Sequence, residues 1–290
     1  MNKPVDPSVD GFIRYRIDLA YDGTNYWGFA AQKKHRTVQG ELLKALTTVF
    51  GKSKDSFFMR VAGRTDAGVH ATAQVIHIDL TEKQLKRLGR TVGMMGSLND
   101  LLPEDIRIHE VSLAPSGFDA RYSASFRRYR YLIADKLAPK NPLLARQTLW
   151  IKHELDLVQM QASALGLVGL HDYASFCRPK LGATTIREVR ELTVKRNPDA
   201  GNVIEVEIMA DAFCHNMVRA IVGALIASGE HKTTPDGVIK RLEKRSRIGS
   251  FKVQPPHGLT LIEVGYPSND KLAAQAEMAK NLRTLDEAED

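Results

Sequence analysis

Between two apolar, strand-prone runs the chain carries Gly63-Arg64-Thr65-Asp66-Ala67-Gly68-Val69-His70-Ala71, one carboxylate set among an arginine, a threonine and two glycines. Phe57, Phe58, Met59 and Val61 precede it and Val75, Ile76, Ile78 and Leu80 follow, so Asp66 falls where two strands are joined. Loops held by rigid strands are where reacting groups usually sit. Gly63 and Gly68 permit a tight backbone path and the close approach of a ligand. Asp66 is therefore the first candidate for a catalytic group, as a nucleophile or a base. The same residue types also make an ordinary turn, in which Asp66 accepts from nearby amides and Arg64 pairs with it at the surface.

Two other stretches carry residue types that suit a polyanion. Arg121-Tyr122-Ser123-Ala124-Ser125-Phe126-Arg127-Arg128-Tyr129-Arg130-Tyr131 interleaves arginine with aromatics. On a strand Arg128 and Arg130 face one side and Tyr129 and Tyr131 the other, giving a cationic face and a stacking face. Single-stranded or extruded bases are recognised in this way; a plain strand with tyrosines in the core and arginines in water has the same pattern. Arg219 lies within the apolar set Met217, Val218, Ile221 and Val222, where a guanidinium needs a carboxylate or a phosphate. Asp66 is a plausible partner, which Arg219 would hold ionised, and the polar side of the helix near His215 is the other place for it. Lys33-Lys34-His35-Arg36 and Lys240, Arg241, Lys244, Arg245 and Arg247 are two more basic stretches, able to touch RNA backbone or simply to face solvent.

The elements that must position these groups follow from periodicity. Ile13, Tyr15, Ile17, Leu19 and Tyr21 alternate with polar neighbours as in a half-buried strand, and Asp22-Gly23-Thr24-Asn25 makes a turn. Thr37 caps a helix whose Val38, Leu42, Ala45, Leu46 and Val49 form one face. Strands over Phe57–Val61 and Gln74–Leu80, a helical stretch over Thr81–Leu101 and a strand over Ile106–Leu113 complete an antiparallel α+β unit. A comparable order returns after Pro115. Strands over Ser125–Ala134 and Thr148–Lys152 lead to a helix over Asp156–Leu170 with Leu155, Val158, Ala162 and Leu165 as its face. Strands over Glu188–Lys195 and Val203–Ala212 follow, then helices over Phe213–Ser228 and from Pro235 to near Arg247, and a last strand over Gly258–Tyr266.

The fold class read from this order is α+β: two similar halves, RRM- or ferredoxin-like, whose mainly antiparallel sheets join across a central basic cleft. The expected divisions are 11–114 for the half with the Asp66 loop, 115–266 for the second half, and 267–290 for a polar, acidic tail.

The 290 residues are 43% hydrophobic and 26% charged, an ordinary composition for a soluble protein. No apolar run approaches the roughly 20 residues of a membrane span, and Met1–Asp10 lacks the basic and apolar regions of a signal peptide. A cytoplasmic protein is expected. Lysine and arginine outnumber acids 41 to 34. The last 21 residues hold six acids against Lys271, Lys280 and Arg283, so the remainder is more basic than the whole and favours a polyanionic partner. The two cysteines, Cys177 and Cys214, suggest neither a disulfide framework nor a zinc cluster; both are expected reduced, with no metal bound.

Taken together these segments resemble the TruA family of tRNA pseudouridine synthases, from about Arg14 to Tyr266. The Asp66 stretch is the most specific match. Tyr21-Asp22-Gly23-Thr24, Thr37-Val38-Gln39-Gly40, Asp119-Ala120-Arg121-Tyr122-Ser123-Ala124, Arg128-Tyr129-Arg130-Tyr131, Gly169-Leu170-His171-Asp172-Tyr173, Phe213-Cys214-His215-Asn216-Met217-Val218-Arg219 and Gly258-Leu259-Thr260-Leu261 agree in type and order. The resemblance implies that Asp66 is the catalytic aspartate with Arg219 as its basic partner. It implies that Tyr129 packs against the target base, that Arg64 holds the extruded nucleotide and that Leu259 lines the pocket. Arg121, Arg128 and His215 become candidate RNA contacts. It further implies uridines 38, 39 and 40 of the tRNA anticodon arm as substrate, a homodimer, and no cofactor. Ala30, Asp119, Tyr122 and Tyr173 depart from the family's pattern, which bears on RNA contacts rather than on Asp66, Tyr129 or Arg219.

Two rivals are weighed against this. A dehalogenase-type phosphatase would need an aspartate two residues before Asp22, where the chain has Ala20. A non-catalytic RNA-binding protein would keep Arg128, Tyr129 and Arg130 and have no use for Asp66 or Arg219.

Overall fold

The computed structural model describes residues 11–51, 57–88, 92–179, 182–281 and 284–285. The first ten residues and the acidic end at 286–290 lie outside them. The chain forms two compact units, Met1–Ser125 with Leu261–Lys280 and Phe126–Thr260 with Asn281–Asp290. Each combines mainly antiparallel strands with helices, the α+β class that the order of patterns predicts.

The first unit runs β1 (Phe12–Tyr21), α1 (Val38–Phe50), β2 (Phe58–Val61), β3 (His70–Thr81), α2 (Glu82–Leu88), α3 (Val92–Leu101) and β4 (Ile106–Leu113). β1 lies between β4 and β3, antiparallel to both, and β2 pairs with the last part of β3. Alternation on β1 buries Tyr15, Ile17, Leu19 and Tyr21. Thr37 caps α1 by accepting from Gly40 N–H, and Leu42, Ala45, Leu46 and Phe50 are buried. β1 and β3 are also joined by charge: Arg14 makes a two-pronged pair with Asp79 directly opposite, at 2.8 and 2.9 Å.

The second unit runs β5 (Phe126–Ala134), β6 (Thr148–Trp150), α4 (Leu157–Leu165), β7 (Gly169–Asp172), β8 (Ile186–Asn197), β9 (Val203–Ala210), α5 (Met217–Gly229) and α6 (Pro235–Glu243). Its sheet has the order β5-β9-β8-β7, antiparallel throughout, with β6 parallel to β5. The chain then returns to the first unit with most of β10 (Leu259–Gly265), which lies beside β3, and with α7 (Leu272–Met278). α7, in the expected polar tail, is docked on the first unit: Leu272 packs with Ala62, Val75, Phe118 and Ala120.

Several expected elements change on folding. The helical stretch over Thr81–Leu101 is two helices, with residues 89–91 outside the described part. α4 ends at Leu165, because Gly166 follows and Gly169, at φ +122°, opens β7. Its buried side is Met160, Ser163 and Ala164, while Val158 and Leu165 are exposed. The reason is a polar contact: Ser163 Oγ and Ser228 Oγ lie 2.7 Å apart against α5, so a serine and small residues make the interface. α5 begins at Met217 instead of Phe213, since Asn216 is left-handed at φ 67°. The cysteines, expected reduced, are joined as a disulfide. Arg178 N–H donates to His215 O at 2.9 Å, which sets the two short segments side by side and brings Cys177 and Cys214 to a Cα separation of 5.6 Å, within disulfide range.

Candidate active site

The Asp66 loop in the first unit is held on both sides of its carboxylate. Before it, Gln74 Nε2 donates to Gly63 O at 2.8 Å and to Tyr21 Oη at 3.1 Å. The Tyr21 hydroxyl and Thr65 Oγ1 are 2.8 Å apart. An amide nitrogen only donates, so the Tyr21 oxygen accepts from Gln74, and either hydroxyl can donate in the bond between Tyr21 and Thr65. Tyr21 is 4% exposed and Gln74 fully buried; burial pushes the tyrosine up to about 12, against the two hydrogen bonds, so it keeps its proton at neutral pH. Phe29 N–H then donates to Thr65 O at 3.1 Å. After the carboxylate, Val69 N–H closes a turn onto Asp66 O at 3.2 Å, Gly68 at φ +77° completes it, and Gly68 N–H reaches Tyr26 O at 3.1 Å.

The 22–36 segment is packed so closely on this loop that two positions admit no side chain. A Cβ on Gly23 would meet Val69 O at 2.0 Å, and one on Gly28, itself at φ +89°, would meet Thr65 O at 2.8 Å. His70, buried at the start of β3, accepts the Gly23 N–H on Nδ1 at 3.0 Å. What results is a half-buried carboxylate at the apex of a fixed loop, flanked by exposed Arg64 and Ala67. Arg121 is also exposed in this unit, over the Tyr122 ring at 5.1 Å. Asp119 is structural: Oδ1 accepts from the N–H groups of Arg121 and Tyr122, and Oδ2 pairs with Arg60 at 2.5 Å.

The second unit gathers the remaining candidates around β5 and the start of α5. Tyr129, 7% exposed, stands edge-on to Phe213 with ring centroids 5.1 Å apart. Tyr131, two residues on and facing the same way, donates to Pro255 O at 2.8 Å, and its ring fills the space a Gly258 Cβ would need. Leu259, 6% exposed, follows directly. Arg219 is fixed from both ends, Nε donating to Gln254 O at 2.7 Å and a terminal nitrogen to Asn216 Oδ1 at 3.2 Å. Burial raises the Tyr131 hydroxyl, and the Arg219 charge pulls the other way. On the other face of β5, Arg128 pairs with Glu191 at 2.5 Å. His215 is exposed.

Tyr129, Arg219 and Leu259 thus lie in the second unit, and Asp66 and Arg64 share a loop in the first. The supporting role that Tyr21, Thr65 and Gln74 share is not legible in the sequence. Their one signal is a polar Gln74 at the head of an apolar strand run.

A family model described as tRNA pseudouridine synthase matches residues 19–123 and 164–267. The chain is 44% identical over 289 residues to tRNA pseudouridine synthase A of Leifsonia xyli subsp. xyli, covering 96% of this chain and 100% of that protein. It is 46% identical over 291 residues to tRNA pseudouridine synthase A of Streptomyces avermitilis, covering 98% of each. With the protein of that name from Mycobacterium leprae it shares 42% over 293 residues, 98% of this chain and 99% of the other. The chain belongs to the tRNA pseudouridine synthase family.

Proposed function

We propose that this protein isomerises uridine to pseudouridine in tRNA, with Asp66 as the catalytic group. The observation that carries the reading is the Asp66 loop, a half-buried carboxylate on a backbone pinned at Gly63, Thr65 and Gly68, in a chain of this family. The reaction breaks the bond from the sugar C1′ to N1, turns the uracil, and joins C1′ to C5, whose proton leaves to water while N1 takes one up. The base must leave the stack and be retained meanwhile. Asp66 enters by attack on the sugar, by attack on the base, or by taking a sugar proton to form a glycal.

In this reading Arg219 keeps Asp66 ionised, Tyr129 packs on the detached uracil, Leu259 lines its pocket and Arg64 holds the extruded nucleotide. The fixed Arg219 and the enclosed Tyr129 support those roles, since neither needs ordering when substrate arrives. Arg121, Arg128 and His215 contact the RNA, and the two halves, similar in plan, serve one basic cleft. The substrate positions are 38, 39 and 40 of the anticodon arm, and the protein works as a homodimer in the cytoplasm without a cofactor. Among the described residues no helix is long and apolar enough to cross a membrane.

The test is to incubate the purified protein, without added metal or nucleotide, with unmodified tRNA tritiated at uracil C5, and to map the product by carbodiimide-dependent primer extension. Tritium release with stops at 38 to 40 is expected. Binding without release would reduce the protein to an RNA-binding relative, and release from other positions would overturn the assignment to the anticodon arm. Sedimentation equilibrium at twice the chain mass would support the dimer, and a single chain mass would refute it.

A further inference from the structure

The Trp27 indole has no part in the chemistry above, yet it lies open on the surface of the segment packed against the Asp66 loop. It is 58% exposed, an unusual state for the largest apolar side chain. One side of the ring is already stacked on His35, with centroids 4.1 Å apart and planes at 22°. The segment that presents it is tied down. Trp27 N–H donates to Arg36 O at 2.9 Å, and Gln32 Nε2 donates to Trp27 O at 2.8 Å. Arg36 lies over the Tyr26 ring at 4.2 Å and makes two bonds to Asp105, at 2.8 and 3.0 Å, while the Tyr26 hydroxyl donates to the same carboxylate.

Beside the indole is an open depression of about 510 Å³ lined by Thr24, Asn25, Tyr26, Trp27, Ala67 and Gly68. Ala67 and Gly68 are the two residues that follow Asp66. Lys33 and Lys34 are exposed on the same short segment.

We infer that this depression is a second base site, in which Trp27 stacks an unpaired nucleobase of the RNA other than the target uridine. A rigid, exposed aromatic face with cations a few residues away is what binds single-stranded bases regardless of identity, since every base offers a π-face. Because Trp27 and His35 are already stacked and their segment is pinned, little ordering is needed on binding. The site borders the Asp66 loop, so its occupant is a nucleotide close to the target in the strand or folded near it. The inference rests on the tRNA reading above.

The test uses steady-state tritium release together with a signal that needs no turnover. Trp27→Ala is expected to raise KM for tRNA roughly 10-fold with kcat kept within about two-fold, and Trp27→Phe to restore most of the loss. In a Trp150→Phe, Asp66→Ala background Trp27 is the sole tryptophan, and its fluorescence is expected to be quenched saturably by tRNA. An unchanged KM in Trp27→Ala, or fluorescence indifferent to tRNA, would overturn the base site even if the enzyme is active. Quenching by tRNA in a protein that releases no tritium would support the base site while the isomerase reading failed.

Discussion

At the scale of single residues, the site is a carboxylate whose neighbours are fixed more firmly than its own type requires. Gln74, Tyr21 and Thr65 form a chain of hydrogen bonds, from the Gln74 amide to the Tyr21 oxygen and on to the Thr65 hydroxyl. Tyr21→Phe leaves the ring in place and removes only the hydroxyl. It is expected to cost about 1 kcal/mol in stability, the ordinary worth of a hydrogen bond, read by urea denaturation. The same change is expected to lower kcat several-fold with KM for tRNA little altered, since the loop is loosened and the RNA surface kept. Equal kcat in Tyr21→Phe would show that the network does not position Asp66. The Asp66 motif is legible in the sequence because it is contiguous. The network beneath it is not, because Tyr21 and Gln74 meet Thr65 only through the pairing of β1 with β3.

At the scale of elements, what was legible had a local cause. The alternation of β1 and the Thr37 cap are written in neighbouring residues, and both are found where expected. The buried face of α4 is not legible in its own residues, because it is chosen by α5, through Ser163 and Ser228, and not by the most apolar side chains of α4. α5 starts four residues later than periodicity suggests because Asn216 adopts a left-handed conformation, which asparagine tolerates better than most residues. The Arg14–Asp79 pair between β1 and β3 gives a prediction at this scale. The Asp79 side chain is 2% exposed and that of Arg14 20%, so Arg14→Met takes the cation away from a buried carboxylate and should cost about 3–5 kcal/mol. Replacing both, as Arg14→Met with Asp79→Leu, should recover most of that loss in the same denaturation measurement. A double variant no better than Arg14→Met alone would place the cost in lost packing.

At the scale of the whole molecule, its stability should depend on pH through a histidine that takes no part in the proposed chemistry. His77 is fully buried on β3, stacked on Phe58, and accepts the Ala120 N–H on Nδ1 at 2.9 Å. Burial, with Arg14 and Arg60 nearby, lowers it to about 2. Unfolded, it titrates near 6.5. Between these values the unfolded chain binds the additional proton, so this contribution is complete above about pH 6.5 and is lost as the pH falls, by up to about 1.4 kcal/mol per pH unit. His77→Asn, which can still accept from Ala120 but does not titrate, should have a shallower decline in stability from pH 6.5 to 4.5. Parallel curves for the two proteins would contradict this. Composition foretold the basic balance of the chain, but not that its last helix would return to the first unit through Leu272.

The central claim is that Asp66 performs the reaction, and the most direct measurement compares Asp66→Asn with the unaltered protein on tRNA tritiated at uracil C5. Asparagine keeps the shape and removes the charge. Tritium release should fall by at least about 10³-fold, as for loss of a covalent or general-base group, while tRNA affinity by filter binding stays within a few-fold. Release at the original rate in protein shown by mass to be still asparagine would contradict the account.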